Sequence, residues 1–346
     1  MEMTKLFLVL LLHLTLLSSF VLVSYSGYIP AIFTFGDSNF DAGTNRFDKN
    51  CTAQANFPPY GSNFFHQPTG RFTNGRTVAD FIFLNGTQKE YPSNGLNFAS
   101  AGSGVLPLTN KEMGVTPIQE QIRQFQTLIK QNKIDKNLVQ NSLFLFESGS
   151  NDIFNFFLYE TTTHTLSPDT YVQAMLTEVE KFVAHIYELG ARRIALFSLG
   201  PVGCVPARAL VPGAPLGRCY GKMNVLVKIY NMGLENLVNE ILTKYPGAIG
   251  VYGAVYKLVQ QFRADPKRYD FIEVSMACCG YGALGGTLQC GKEGYKICPK
   301  PNAFLFWDYF HPSEHTYHLI SKALWAGKQP AIRPINLKAL VNITLV

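Results

Sequence analysis

Near the C-terminus, Asp308-Tyr-Phe-His311-Pro312 sets a carboxylate and an imidazole three residues apart, a spacing that puts both on one side of a turn. In that arrangement Asp308 accepts the Nδ1 proton of His311, fixes the ring tautomer and leaves Nε2 to deprotonate a hydroxyl. Ser38 offers the hydroxyl: it follows Gly36-Asp37, and the glycine permits a tight turn that exposes the serine. Attack on a carbonyl carbon also needs donors for the oxyanion. The backbone N–H of Gly102, in Asn97-Phe-Ala-Ser-Ala-Gly102, and the amide of Asn151, in Gly149-Ser-Asn151-Asp152, join the N–H of Ser38 in that role. Read singly, each position has an ordinary explanation. Gly-Asp-Ser and Ser-Asn-Asp are turn sequences, Gly102 is a loop glycine, and Asp308 suits the cap of a helix starting near Pro312, with His311 packed half-buried beside it.

These residues acquire meaning from the elements that must carry them. Short apolar runs alternate with long amphipathic stretches, the pattern of a parallel sheet covered by helices on both faces. Five runs read as strands, Ala31 to Phe35, Gly95 to Phe98, Leu143 to Phe146, Arg193 to Leu199 and Ala248 to Tyr252. The clearest helices span Pro117 to Lys130, Pro168 to Leu189 and Tyr220 to Lys244, the second opened by Ser167 as N-cap and ended at Gly190. Segments 201–217 and 280–294 are rich in Gly and Pro and read as loops. In an open parallel sheet, ligands bind beyond the carboxyl ends of the strands. Ser38, Gly102 and Asn151 each follow a strand.

Residues 1–26, with Lys5, an apolar run from Leu6 to Val23 and the small residues Ser24 and Ser26, read as a signal peptide; a membrane anchor is the competing reading, and no basic flank follows to support it. Residues 27–346 then suffice for a single large α/β domain. The formal charge of +6 is spread along the chain without a basic block, which argues against nucleic acid as a partner. In an exported chain seven cysteines imply three disulfides and one left over, with the connectivity open. Sequons at Asn50, Asn85 and Asn342 fit passage through a secretory pathway, and no retention tetrapeptide closes the sequence. The expected location is extracellular, without a stable membrane anchor; the oligomeric state is left open.

Three motifs point elsewhere and lack their context. Gly280-Tyr-Gly-Ala-Leu-Gly285 matches the dinucleotide fingerprint but runs on into a loop rather than a helix. His311, His315 and His318 fall at helical spacing for a metal, yet the H-E-x-x-H pattern is absent and His311 has a partner in Asp308. Around Ser38 there is no G-x-S-x-G elbow, which argues against the α/β-hydrolase fold despite the same Ser, Asp, His order.

Taken in order, Phe35-Gly-Asp-Ser-Asn-Phe-Asp-Ala-Gly43, Asn97-Phe-Ala-Ser-Ala-Gly-Ser-Gly104, Gly149-Ser-Asn-Asp152 and Asp308-Tyr-Phe-His-Pro312 resemble the blocks of the SGNH hydrolases, and of their plant GDSL esterase/lipase branch in particular. Gly70-Arg-Phe-Thr-Asn-Gly-Arg76, Leu199-Gly-Pro-Val-Gly-Cys204 and Ala277-Cys-Cys-Gly280 extend the likeness from about Phe33 to Trp325. The resemblance implies a flavodoxin-like three-layer α/β/α sandwich around a mostly parallel five-stranded sheet, with no metal and no cofactor. It implies a serine mechanism with Ser38, Asp308 and His311 catalytic, and Ser38, Gly102 and Asn151 as the oxyanion hole, acting on a small-molecule or lipid ester through an acyl-enzyme. Two departures stand out: Asn39 replaces the apolar residue that many members carry after the serine, and Thr44-Asn45 replaces Asn-Asn. Two other functions compete. Acyl transfer to an alcohol is suggested by Phe40, Phe154, Phe156, Phe157 and Phe310, which crowd the site segments and would exclude water; a non-catalytic binding protein on the same scaffold is the remote alternative.

Overall fold

The computed structural model describes residues 29–86, 95–159 and 166–345; the expected signal peptide lies outside them. In chain order the strands are β1 (Ile32–Gly36), β2 (Gly95–Asn97), β3 (Leu143–Glu147), β4 (Arg193–Phe197), β5 (Ile249–Gly253), β6 (Glu273–Ala277), β7 (Cys279–Gly280), β8 (Lys296–Ile297), β9 (Phe304–Phe306) and β10 (Ile332–Arg333). The α-helices are α1 (Val78–Gly86), α2 (Ile118–Lys130), α3 (Lys136–Asn141), α4 (Ser150–Leu158), α5 (Pro168–Glu188), α6 (Gly221–Lys244), α7 (Val255–Ala264), α8 (Glu314–Ala326) and α9 (Leu337–Asn342).

The main sheet has the order β10-β5-β4-β3-β1-β2. Its five predicted strands run parallel, and β10 adds an antiparallel edge against β5. This sixth strand corrects the five-stranded expectation. It is two residues long and stops at Pro334, so its sequence carries no apolar alternation to read. Strands β1, β3 and β4 are buried at all five positions, as a sheet covered on both faces requires. Helices α2, α5 and α6 lie side by side over one face, while α1, α8 and α9 cover the other.

Each helix reflects its sequence. Along α2, Ile118, Ile122, Phe125 and Ile129 form the apolar stripe, and Gln121 shares the buried side. Helix α5 starts where expected, with the Ser167 side chain accepting from the Thr170 N–H and Pro168 in its first turn. It ends before Gly190, whose φ of +115° suits a residue without Cβ. Three disulfides, Cys204–Cys219, Cys278–Cys298 and Cys279–Cys290, leave Cys51 as the buried free thiol, the expected count. The first ties down the 201–217 loop; the other two cross-link the 280–294 loop. Among the described residues no helix is long and apolar enough to cross a membrane.

Candidate active site

Strand β1 delivers Ser38 to the carboxyl end of the sheet. At Gly36 a side chain would strike the backbone, since a Cβ there would lie 2.2 Å from the Glu147 carbonyl oxygen of β3. Where the strand ladder runs out, Gln121 of α2 takes over: its Oε1 accepts from the Gly36 N–H at 3.0 Å and its Nε2 donates to the Gly36 carbonyl at 2.9 Å. Beyond it the chain turns around Asp37. The Asn39 N–H donates to Asp37 Oδ1, and the N–H groups of Phe40 and Asp41 donate to the Asp37 carbonyl. Ser38 is thereby held at the apex, 7% exposed.

The imidazole of His311 reaches the serine from a different part of the fold. Strand β9 pairs with β6 outside the main sheet. Next come buried Trp307 and the turn Asp308–His311, in which Asp308 Oδ1 accepts from the N–H groups of Phe310 and His311. The Trp307 N–H donates to the His311 carbonyl and closes the turn. Asp308 is therefore a turn-former rather than a helix cap; Ser313 caps α8, its hydroxyl accepting from the Thr316 N–H. The imidazole then bridges: Nδ1 lies 2.8 and 3.0 Å from the two Asp308 oxygens, and Nε2 lies 2.8 Å from Ser38 Oγ. Hydroxyl, imidazole and carboxylate are all buried, with the imidazole within hydrogen-bond reach of the other two, the geometry that a serine–histidine–acid relay requires.

The two further donors are placed differently. Asn151 opens α4 beside Ser38 on the wall of the same chamber. One N–H of its amide donates to the Ser103 carbonyl at 2.9 Å, which fixes the group while leaving its second hydrogen for another acceptor. Gly102 is not among the lining residues; it sits one position before Ser103, whose carbonyl holds the Asn151 amide. Its turn is tied to the serine segment through Asp41, whose Oδ2 accepts from the Ala101 N–H, and through Asn45, whose amide donates to the Ala101 carbonyl. Asn45, which keeps the family's asparagine where Thr44 departs from it, is a structural strut. Asp152 holds the following loop by accepting from the N–H groups of Val105 and Leu106 and from the Thr109 hydroxyl.

Several residues that support the site carry no catalytic signature in the sequence. Tyr60 is buried and donates its phenol hydrogen to Asp308 Oδ2 at 2.7 Å, a second anchor for the acid. Burial beside Asp308 pushes the Tyr60 phenol well above its ordinary range, so it stays a donor. The 70–76 stretch braces the His311 loop. Thr73 donates to the Pro312 carbonyl, Asn74 Oδ1 accepts from the Glu314 N–H, Arg76 pairs with Glu314 at 2.6 Å, and the Phe72 ring sits 4.9 Å from the imidazole. Glu147, at the end of β3, is a buried acid facing Asp37. The one local signal for it is a charge closing the apolar run Leu143-Phe-Leu-Phe-Glu147.

The chamber in front of Ser38 is mainly apolar, with Phe40, Val78, Phe197, Val202, Val259 and Leu305 among its walls. Of the five phenylalanines expected to crowd the site, Phe40 and Phe310 line it and Phe154 packs on Phe310. Phe156 and Phe157 instead turn into the core against Tyr171 and Tyr220, so the expected water-excluding cluster shrinks to two rings and a support. The three histidines at helical spacing also part company. While His311 meets Ser38, His315 Nε2 is 2.9 Å from the Tyr269 carbonyl and His318 packs on Phe81. The G-x-G-x-x-G segment lies in the disulfide-linked loop after β7 and turns into a short 3-10 segment at Ala283–Gly285.

Comparison with known proteins shows the family. Residues 32–324 match the family described as GDSL-like Lipase/Acylhydrolase. The chain is 62% identical to GDSL esterase/lipase 6 of Arabidopsis thaliana over 95% of either chain. It is 33% identical to GDSL esterase/lipase 7 of the same plant, over 91% of this chain and 92% of that one. A solved structure described as LAE5, an alpha/beta hydrolase enzyme from the metagenome of Lake Arreo, matches at a TM-score of 0.40 and 13% identity over 86% of this chain and 94% of that one, too distant to bear on the site. The chain belongs to the plant GDSL esterase/lipase family.

Proposed function

We propose that this protein is a carboxylic ester hydrolase in which Ser38 attacks the acyl carbon and His311 carries the proton. The observation that carries the reading is the unbroken relay of Ser38 Oγ, His311 Nε2 at 2.8 Å and Asp308 Oδ1 at 2.8 Å from Nδ1. His311 takes the serine proton as the Oγ–C bond forms, then returns it to the leaving alcohol as the C–O ester bond breaks. Water repeats the cycle on the acyl-enzyme. In this reading the N–H of Ser38 and the second N–H of Asn151 serve the developing oxyanion, and the backbone N–H of Gly102, from the turn that anchors Asn151 through Ser103, is the third donor. Apolar walls suit the acyl part of a lipid or small-molecule ester. Three disulfides and the exposed sequons Asn50 and Asn342 support a secreted glycoprotein formed as one domain after residue 26, whereas the Asn85 side chain lies outside the described residues.

The test is steady-state hydrolysis of a series of aryl esters of increasing acyl length. Wild type releases free acid, and Ser38→Ala, with an unchanged fold by circular dichroism, falls to background. Retention of wild-type rates by Ser38→Ala overturns the proposal. Adding an acceptor alcohol separates hydrolysis from transfer: free acid as the product at every acceptor concentration is the expected result, and an ester product that grows with acceptor reverses that assignment.

A further inference from the structure

The wall of the chamber beside Ser38 holds two carboxyl groups that the hydrolytic cycle does not use. Asp37 precedes the nucleophile and Glu147 ends the neighbouring strand β3; both are buried, at 0% and 4% exposure. Among the described residues Asp37 Oδ2 meets no N–H or hydroxyl donor, and the group facing it is the Glu147 carboxyl. The other atoms of the cluster fall into a directed chain. Tyr317 of α8 donates its phenol hydrogen to Asn39 Oδ1 at 2.8 Å, Asn39 Nδ2 donates to Glu147 Oε2 at 3.0 Å, and the Asn39 N–H returns to Asp37 Oδ1 at 3.0 Å. One donor is missing from that circuit. A proton on Glu147 supplies it.

We propose that Glu147 is a neutral carboxylic acid that donates to Asp37 Oδ2, closing the circuit Tyr317–Asn39–Glu147–Asp37 and making Glu147 a positioning residue for the turn that presents Ser38. The proposal rests on the reading of Ser38 as nucleophile. It also gives Asn39, the departure beside the nucleophile, a role: an amide there accepts from the phenol and donates to the acid at once, which no apolar side chain does. Two ionised carboxylates in contact at a buried site repel and lack solvation, whereas one shared proton removes the repulsion and leaves one buried charge, hydrogen-bonded, in place of two. Burial is the main cause raising both acids, Asp37 to about 6 and Glu147 well above its ordinary value. Against burial, the Asn39 N–H, His311 and the Glu147 hydrogen bond lower Asp37, in that order, and Asp152 of α4 raises it by the least. Tyr230 of α6 and Tyr317 of α8 face the same acids with phenols pushed above their ordinary range, and Asp308 adds negative charge against Tyr317. Among these groups His311 is the basic one.

The experiment uses the full chain with Glu147→Ala and Glu147→Gln. Glutamine reproduces the neutral acid's pattern, donating to Asp37 and accepting from Asn39, but cannot ionise. Glu147→Ala is expected to lower kcat by roughly 10- to 100-fold with a smaller change in KM, the range for a mispositioned nucleophile. Glu147→Gln is expected to recover to within about threefold of wild type at neutral pH and to lose the alkaline fall in kcat/KM that deprotonation of Glu147 gives the wild type. The infrared difference between wild type and Glu147→Gln at neutral pH should contain the carbonyl band of a protonated carboxylic acid, independently of turnover. Absence of that band, or the same alkaline fall in the Gln variant, overturns the proposal. Failure of the serine mechanism would show instead as activity in Ser38→Ala with the band intact.

Discussion

The two halves of the proposed catalytic relay are held by different means. Ser38 stands at the end of β1, between β2 and β3 in the main sheet, so backbone ladders fix its approach and Gln121 completes them at Gly36. His311 follows a three-residue strand outside that sheet; besides the backbone bonds of its turn and of the loop cross-linked by Cys278–Cys298 and Cys279–Cys290, it depends on side chains drawn from far along the chain, Tyr60 and the 70–76 stretch. A group placed by a ladder tolerates the loss of any one side-chain contact. A group placed by a few side-chain bonds loses alignment with each bond removed. The nucleophile half should therefore respond to substitution mainly through its own chemistry, and the base half also through its supports.

That contrast can be broken or sharpened by substitution. The largest effect should come from Asp308→Asn, which keeps the turn but disturbs the His311 tautomer. A fall in kcat of about 10³- to 10⁴-fold is expected in steady-state kinetics, and a loss below tenfold would remove Asp308 from its role. Asn151→Ala should cost about 10²- to 10³-fold in kcat with KM little changed, the usual loss for one oxyanion donor. Tyr60→Phe removes one hydrogen bond to the buried Asp308 and should lower kcat by about tenfold, equivalent to about 1.4 kcal/mol of transition-state stabilisation. An unaffected Tyr60→Phe enzyme would mean that the Asp308 turn alone aligns the base, and the contrast between the halves would fail.

The smallest effect concerns stability. Asp37 and Glu147 have raised values in the fold, so the native chain binds more protons than the unfolded chain between the ordinary carboxyl range near 4 and the raised values. Their contribution to stability is present below about 4 and is lost as pH rises through about 6 for Asp37 and higher for Glu147. Glu147→Gln cannot ionise and should escape its part of that loss. Its Tm should exceed the wild-type value by a few degrees at alkaline pH and converge with it near pH 4, read by thermal melts across pH.

Much of the fold and site is legible from local pattern. The five parallel strands announce themselves as apolar runs, and Ser167-Pro168 announces the start of α5, because each is decided by a few neighbouring residues. Ser38 and Asn151 are readable because a parallel sheet gathers the residues just beyond its strand ends on one side of the molecule, and the Asp308–His311 pair because a carboxylate and an imidazole three residues apart can share one turn. Gln121 is not, although a polar residue on the apolar side of α2 is its one trace. Tyr60 lies hidden for a plainer reason: its partner is 248 positions away and the sequence around it reads only as a Pro-rich turn. Phe156 and Phe157 mislead because nearness in sequence to Asn151 does not fix which side of α4 faces the chamber. Strand β10 is recruited by the free edge of β5 rather than by its own composition.

The central claim is that His311 activates Ser38 for attack on an acyl carbon. A fluorophosphonate, which reacts covalently with an activated serine hydroxyl, tests it without knowledge of the natural ester. Intact-protein mass spectrometry followed by peptide mapping should find one adduct on Ser38 in the folded wild type. Labelling should fall by orders of magnitude in His311→Ala and vanish on denaturation. A folded wild-type protein that stays unlabelled, or equal labelling of Ser38 with and without His311, would contradict the account.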